Sequence, residues 1–257
     1  MGLTRVADVR RIDVNCDLGE TPLSWRESDE PALLRLVTSA NVACGGHAGD
    51  EASMLAICEE ATGLRVAVGA QVSYPDRENF GRVMLEMPAA VLAASLEEQF
   101  VALESAARAC GTRVTYVKPH GALYNAVVTR RDHAETVVKL AEKHRVALFG
   151  LPGSLTMLLA GEVGVRFVRE WFADRAYMND GTLVARGRPD ALVTSPELVR
   201  ERTMRVLTAG ETAAVDGHVV ATPFETICVH SDTPGAVELL HAVRSALDAS
   251  SVEIASL

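Results

Sequence analysis

The sequence predicts a parallel β/α barrel of seven strands, formed by a single domain that spans residues 1–257. Three observations support this prediction. Seven short apolar runs recur along the chain, and segments with helical periodicity follow them. The runs are rich in valine and mostly do not alternate with polar residues, as is typical of strands buried on both faces. Their spacing is even and no linker interrupts it, which favours one closed barrel over the runner-up, an open Rossmann-type sheet.

Strands and helices alternate in chain order, as right-handed crossovers require. The predicted strands are 12–16, 38–43, 65–71, 114–118, 146–150, 165–170 and 226–229. The predicted helices are 30–37, 51–62, 88–110, 131–144, 154–160, 196–208 and 234–248. The third helix is the clearest, because Leu92, Leu96, Phe100 and Leu103 fall on one stripe and Pro88 suits its first turn. An irregular arm and a small hairpin, turning near Asp216, interrupt the rhythm at about 173–223.

Composition excludes several classes of function. The formal net charge is −9, which argues against nucleic-acid binding, because phosphate backbones require concentrated Lys and Arg. No apolar run approaches the roughly 20 residues that span a bilayer, and the opening MGLTRVADVRR lacks the apolar core of a signal peptide. The five cysteines are an odd number without a C-x-x-C pair, so they predict neither a disulfide framework nor a zinc cluster. We therefore expect a cytoplasmic protein that acts on small molecules.

Polar residues gather where the predicted strands end. The carboxyl ends of parallel strands share one face of a barrel, and that face carries the chemistry of such folds. The residues that the topology brings there are Asn15, Asp17, Glu20, His47, Asp50, Asp76, Lys118, His120, Asp174, Arg175, His230 and Asp232. So many ionisable groups on one rim predict an enzyme.

Several of these residues have both a structural and a chemical interpretation. Asp17 is either a helix cap, a metal ligand or a general base, and Asp50 either caps the next helix or lies beside a bound anion. His47 is placed as a metal ligand, a general base or a hydrogen-bonded structural histidine. Lys118 within a strand needs an ion pair, with Asp17 or Asp174, or else holds a substrate carboxylate or phosphate. Arg175 suits bidentate recognition of a carboxylate.

Six motifs in order resemble the LamB/YcsF family over nearly the whole chain. They are NCDLGE, SANVACGGHAGD, YPDRENFGR, VKPHGALYN, FADRAYMNDGTLV and CVHSDTPGA. The resemblance implies a (β/α)7 TIM-like barrel of the glycoside hydrolase/deacetylase type. It also implies that the chain is the A subunit of a 5-oxoprolinase. Together with the B and C subunits, it would open the lactam 5-oxo-L-proline to L-glutamate with ATP hydrolysis.

ATP is consumed by that complex, yet this chain has no phosphate-binding loop of the G-x-x-x-x-G-K-[ST] type. The resemblance therefore suggests that the partner subunits phosphorylate the lactam and that this barrel hydrolyses the activated ring. The predicted catalytic residues are Asp17, His47, His120, Asp174 and His230, with Asp17 or His47 as base and His120 as acid or oxyanion donor. The predicted substrate-binding residues are Asn15, Glu20, Asp50, Lys118, Asn125, Arg175 and Asp232, with Lys118 and Arg175 as anion clamps.

Two departures from the family pattern affect the site. Gln71 stands where the family commonly has a histidine, and related deacetylases bind a divalent metal through one Asp and two His. Asp17 and His47 offer two ligands, but glutamine is a poor third one, so we expect no tightly bound metal. Gly46 stands where a bulky aromatic residue is usual, which predicts a roomier pocket near His47.

Two other functions remain open at this point. One is a stand-alone metal-dependent deacetylase or amidohydrolase, and the other is a non-catalytic subunit whose rim docks partners. The sequence also leaves open whether the chain forms a homo-oligomer.

Overall fold

The computed structural model describes residues 10–21, 23–250 and 252–257. All but the last two residues of the opening segment MGLTRVADVRR lie outside the described residues. The strands, in chain order, are β1 (Arg10–Leu18), β2 (Ser39–Ala43), β3 (Ala67–Val72), β4 (Val114–Pro119), β5 (Ala147–Gly150), β6 (Phe167–Phe172), β7 (Glu211–Ala213), β8 (Val219–Ala221), β9 (Thr226–Val229) and β10 (Val252–Ile254).

Strands β1 to β6 and β9 form the closed parallel barrel that the sequence predicts. Each strand pairs in parallel with its neighbour, in the order β1-β2-β3-β4-β5-β6-β9. The barrel closes where β9 returns to β1, with Asp13 opposite Thr226 and Cys16 opposite Val229. Because all seven strands run in one direction, their carboxyl ends open on one face of the molecule.

Helices cover the outside of the barrel. They are α1 (Glu30–Leu34), α2 (Glu51–Leu64), α3 (Ala89–Ala109), α4 (Gly121–Ala126), α5 (Arg131–His144), α6 (Leu155–Val163), α7 (Pro196–Ala209) and α8 (Ala236–Asp248). Side-chain caps set several starts: Asp50, Ser154 and Ser195 accept backbone N–H bonds from the first turns of α2, α6 and α7. None of these helices combines the length and apolarity that crossing a bilayer requires, within the described part of the chain.

The first strand shows how the barrel keeps a polar interior. Ile12, Val14 and Leu18 are buried in the apolar layer, while Asp13 and Asn15 alternate with them and hydrogen-bond to residues of β2 and β9. This strand therefore alternates, although it is buried on both faces, because its inner face carries hydrogen-bonded polar groups instead of apolar ones.

The segment after β6 departs from the barrel rhythm. Residues 173–195 form an arm held by isolated bridges, Arg175 to Leu192 and Tyr177 to Leu183. Strands β7 and β8 then pair antiparallel, in the segment where the sequence predicts a hairpin. Helix α1 ends at Leu34 instead of Val37, and α4 and β10 are not predicted from the sequence.

Candidate active site

A cavity of about 620 Å³ opens at the carboxyl ends of the barrel strands. The polar residues that line it come from separate strand ends and from the arm. They are Asp17, Arg82, Lys118, His120, Tyr124, Asn125, Arg175, Arg186 and His230. Of the residues predicted from the sequence, Asp17, Lys118, His120, Asn125, Arg175 and His230 are therefore brought together here.

Lys118 forms the floor of this cavity and is balanced by two carboxylates. Its Nζ lies 3.3 Å from Asp17 Oδ1 and 2.8 Å from Glu170 Oε1, and all three side chains are almost completely buried. Burial alone would lower the pKa of Lys118, but the carboxylates of Asp17 and Glu170 hold it well above its ordinary value. Lys118 is therefore held in its charged form by two carboxylates, whose combined charge exceeds its own.

A buried hydrogen-bond network fixes Asp17 and the lysine from below. The Asn41 amide donates to Asp17 Oδ1 (2.8 Å) and to Asn15 Oδ1 (2.7 Å), and Lys118 Nζ donates to the same Asn15 oxygen at 3.0 Å. The Tyr116 hydroxyl donates to Asn41 Oδ1 at 2.7 Å. Burial raises the pKa of Asp17, but Lys118 and then His230 and His120 lower it below its ordinary range. Asn15 thus acts as a support for Lys118, beneath the cavity lining.

His230 and Asp174 form an oriented pair on the opposite wall. His230 Nδ1 lies 3.0 Å from Asp174 Oδ2, which also accepts the Thr233 hydroxyl at 2.6 Å and the His230 amide at 3.1 Å. Burial opposes ionisation of Asp174, but His230 and these hydrogen bonds lower its pKa. Because Nδ1 donates to the carboxylate, Nε2 is the ring atom left to exchange a proton in the cavity.

A second polar cluster lies beside His120 and centres on Glu20. His47 Nε2 (2.9 Å), His120 Nδ1 (3.2 Å) and Gln71 Nε2 (2.9 Å) all approach Glu20 Oε1. The two imidazole rings stack with centroids 3.7 Å apart. Burial, followed by the charge of His47, holds the pKa of His120 well below its ordinary value.

The hydrogen-bond partners of this cluster fix its protons. Ser73 donates its hydroxyl proton to Tyr74 O, so His47 Nδ1 must donate to Ser73 Oγ. His47 Nε2 and Glu20 Oε1 are then both acceptors unless one proton lies between them. His120 Nε2 donates to Phe80 O (3.1 Å), which leaves Nδ1 as the acceptor for the Gln71 amide at 3.0 Å. In this arrangement His47 Nε2, His120 Nδ1 and Glu20 Oε1 all turn lone pairs towards one another.

The carboxylate that faces His47 is Glu20, whereas the sequence pointed to Asp17. Gly19 explains the difference: its φ of +78° turns the chain after β1, so Glu20 reaches back over the barrel rim. Glu20, His47 and His120 carry ligand atoms that all lie within 4.8 Å of one another, so this trio fits a divalent metal without Gln71. The outer nitrogens of both histidines are held by Ser73 and Phe80, as metal-ligating histidines usually are.

Other predicted residues have structural roles or lie at the edge of the site. Asp50 is exposed and forms a capping box with Ser53, and it lines no part of the cavity. Asn125 lines the cavity, and its amide donates to Gly121 O at 3.3 Å. The expected roomier pocket at Gly46 is wrong, because a Cβ there would lie 2.5 Å from Gln99 Oε1, which already occupies the space.

Three arginine side chains surround the mouth of the cavity. Arg175 donates to Val184 O (2.6 Å) and Ala191 O (3.3 Å), so backbone carbonyls of the arm hold this guanidinium. Arg82 and Arg186 both pair with Asp232, and Arg186 Nη2 lies 2.6 Å from Asp232 Oδ1. Arg82, Arg186 and Glu170 were not predicted from the sequence. The sequence does contain an indication of the role of Glu170, because a carboxylate inside a buried strand requires a buried cation as its partner.

Comparisons with known proteins agree with this fold. The A subunit of a 5-oxoprolinase from Streptomyces avermitilis is 49% identical over 248 residues, which cover 95% of this chain and 99% of that protein. A lactam utilization protein from Thermus thermophilus has a crystal structure that matches with a TM-score of 0.89 at 34% identity, covering 96% of this chain and 100% of that one.

A more distant structure shows the fold alone. A mutant of a CE4 family pseudoenzyme matches with a TM-score of 0.51 at 12% identity, covering 96% of this chain and 66% of that one. This match shows that the pseudoenzyme and this chain share the barrel fold. Residues 12–257 match the LamB/YcsF family, and the chain belongs to that family.

Proposed function

We propose that this chain is the A subunit of an ATP-dependent 5-oxoprolinase, which hydrolyses the phosphate-activated lactam of 5-oxo-L-proline to L-glutamate with the B and C subunits. Relatives named as the A subunit of 5-oxoprolinase and as a lactam utilization protein support a hydrolase that acts on a cyclic amide. One observation carries the proposal: the His230–Asp174 pair and the ion-paired Lys118 lie at the same cavity. A reaction that consumes ATP also accords with a cytoplasmic location.

The hydrogen bond to Asp174 makes His230 the strongest candidate for the general base. Asp174 orients the ring through Nδ1, so Nε2 can take a proton from the attacking water. The new C–O bond forms as His230 takes this proton, and the ring C–N bond then breaks as the protonated His230 returns a proton to the nitrogen. This leaves an acyl phosphate, and a second water hydrolyses it to the carboxylate of glutamate and inorganic phosphate. This arrangement resembles the base and orienting carboxylate of a hydrolytic triad.

Lys118 stabilises negative charge that develops near the floor of the cavity. Its Nζ donates to Asn15, Asp17 and, at 3.2 Å, the Cys228 Sγ, so its three N–H donors are already used, while Glu170 is an ion-pair partner only. Burial raises the pKa of Cys228 well above its ordinary value, so the thiol is neutral and is the weakest of these four partners. An oxyanion can therefore take the donor that now points to Cys228.

The test is reconstitution with each component omitted in turn. This chain, the B and C subunits, ATP and 5-oxoproline are combined, and glutamate release is measured. We expect release to require all of them, and to fall at least about 100-fold with Asp174→Asn. Glutamate release that continues without this chain would refute the proposal. Full activity of complexes with Asp17→Asn or His120→Ala would instead indicate a subunit that only docks partners.

The Glu20–His47–His120 trio favours a second candidate, a stand-alone metal-dependent amidohydrolase. A divalent ion held there would activate a water and polarise the amide carbonyl. His230 would then keep its role in moving the proton. Stoichiometric metal after purification, with hydrolysis of an N-acetyl substrate in the absence of ATP, would favour this candidate over the first.

A further inference from the structure

The mouth of the main cavity carries an arginine pair that shares one carboxylate. Arg82 binds one oxygen of Asp232 and Arg186 binds the other, the latter at 2.6 Å. Arg82 comes from the loop after β3, Arg186 from the arm after β6, and Asp232 from the segment after β9. Three separate connections therefore place these charges at one point, and both arginines line the cavity that contains Lys118 and His230.

The charges at the mouth do not balance. Arg175 lines the same cavity and bonds to backbone carbonyls, and burial followed by the charge of Arg186 lowers its pKa. Asp174, the nearby acid, is already bonded to His230 and Thr233. Three guanidinium groups thus face two carboxylates, Asp232 and Asp174, because His230 as the proposed base does not cancel the charge of Asp174, and about one positive charge is left in excess. The floor differs, because Lys118 is balanced there by two acids.

We propose that Arg82 and Arg186 bind a dianionic phosphoryl group of the substrate, and that Asp232 holds the two guanidiniums in place until this group displaces it. The inference rests on the proposed function, because that function supplies a phosphorylated substrate. It also assigns anion binding to Arg82 and Arg186 instead of Lys118 and Arg175. Lys118 already binds carboxylates of the protein, and Arg175 already binds backbone carbonyl oxygens.

A phosphoryl group fits this site better than a carboxylate does. A substrate carboxylate carries the same charge as Asp232, which competes as a group of the same chain at high effective concentration. A phosphoryl group carries about two charges and three oxygens, and guanidinium forks bind it in a bidentate manner.

The neighbouring cavity gives the direction from which the anion binds. Arg82 and Asp232 also line a second cavity of about 460 Å³, whose other lining residues include Glu20, Glu27, Asp29 and Glu30. That cavity repels an anion, so the phosphoryl group must lie on the side of the main cavity. The side chains of Arg82 and Arg186 are 37% and 22% exposed, so solutes can reach them.

The test is calorimetric titration of the full chain, without partner subunits, with inorganic phosphate, acetyl phosphate and 5-oxoproline. We expect both phosphates to bind, and Arg82→Gln and Arg186→Gln each to weaken them about tenfold. Asp232→Asn removes the competing carboxylate and should tighten phosphate binding several-fold. Arg188→Gln is the matched control, because Arg188 lies in the same arm but pairs with Asp190, and its affinity should stay within about twofold of the original.

Several results would overturn the proposal. They are phosphate affinities unchanged in Arg82→Gln and Arg186→Gln, weaker binding in Asp232→Asn, and binding of 5-oxoproline without binding of either phosphate. If a Gln variant unfolds, Arg82→Lys and Arg186→Lys keep the charge but lose the fork, and each should still weaken phosphate binding. Failure of the proposed function is distinguishable, because it would appear as glutamate release that continues without this chain, whereas phosphate binding is measured on the chain alone.

Discussion

Replacing Lys118 by methionine removes the buried cation between Asp17 and Glu170, and we expect it to lower the free energy of unfolding by about 3–5 kcal/mol at pH 8. Methionine keeps most of the side-chain volume, so the change tests charge more than packing. The two carboxylates lose their shared partner while remaining almost fully buried.

The magnitude follows from the two distances. At an effective dielectric constant of about 20, the 3.3 Å contact with Asp17 corresponds to about 5 kcal/mol of Coulomb energy. The 2.8 Å contact with Glu170 corresponds to about 6 kcal/mol on the same scale. The variant no longer buries an ammonium group, which offsets part of this Coulomb energy, and removal of one partner from a buried ion pair typically costs about 3–5 kcal/mol.

The loss should depend on pH. Despite its burial, Lys118 holds the pKa of Asp17 below the ordinary value. Ionised Asp17 therefore stabilises the native protein above its unfolded pKa of about 3.9, and this contribution disappears as the pH falls through the lower folded pKa. Without the lysine, burial raises the pKa of Asp17, so its protonation on acidification removes an unpaired buried charge. The deficit of the variant should accordingly be smaller at pH 5 than at pH 8.

Urea unfolding at both pH values measures this effect. Lys143→Met is the control, because Lys143 pairs with Glu97 at the surface and should change the free energy of unfolding by less than about 1 kcal/mol. If Lys118→Met does not fold, adding Glu170→Gln removes one of the two stranded acids and should restore folding. A loss below about 1 kcal/mol at pH 8, or an equal loss at both pH values, would refute the reasoning.

Three further predictions concern the pair, the core and the trio. Asp174→Asn should lower kcat at least about 100-fold with little change in KM, because His230 loses its orientation; equal kcat values in the glutamate assay would contradict this. Gly69→Ala should lower the free energy of unfolding by about 1–3 kcal/mol, measured with urea, since the new Cβ overlaps the Tyr116 ring; unchanged stability would mean that the ring moves freely. Glu20→Gln should weaken Co²⁺ binding about tenfold or more in equilibrium dialysis with absorption spectra, and unaltered spectra would exclude the trio as ligands.

The barrel was predictable because its signals are local. Valine-rich runs and the stripe on α3 follow from the burial of strands and helices, and the carboxyl-end rule places Asp17, Lys118 and His230 together without any tertiary information. Helix α4 has six residues and β10 has three, and such lengths are too short to show a period.

The site was less predictable because loops and turns determine it. Arg82 and Arg186 belong to irregular segments whose positions depend on tertiary packing. The choice between Asp17 and Glu20 as the partner of His47 depends on the left-handed turn at Gly19. Spacing alone places both carboxylates near the end of the first strand.

The pairing of β1 with β9, which closes the barrel, also has a consequence for the order of folding. Residues that close the barrel are more than 200 positions apart, as in the pairing of Asp13 with Thr226. His230 and Asp232 follow that last strand, whereas Asp17 lies near the end of the first. During synthesis the candidate site therefore cannot be completed until β9 and the residues after it have emerged, because His230 and Asp232 join Asp17 only once β9 pairs with β1.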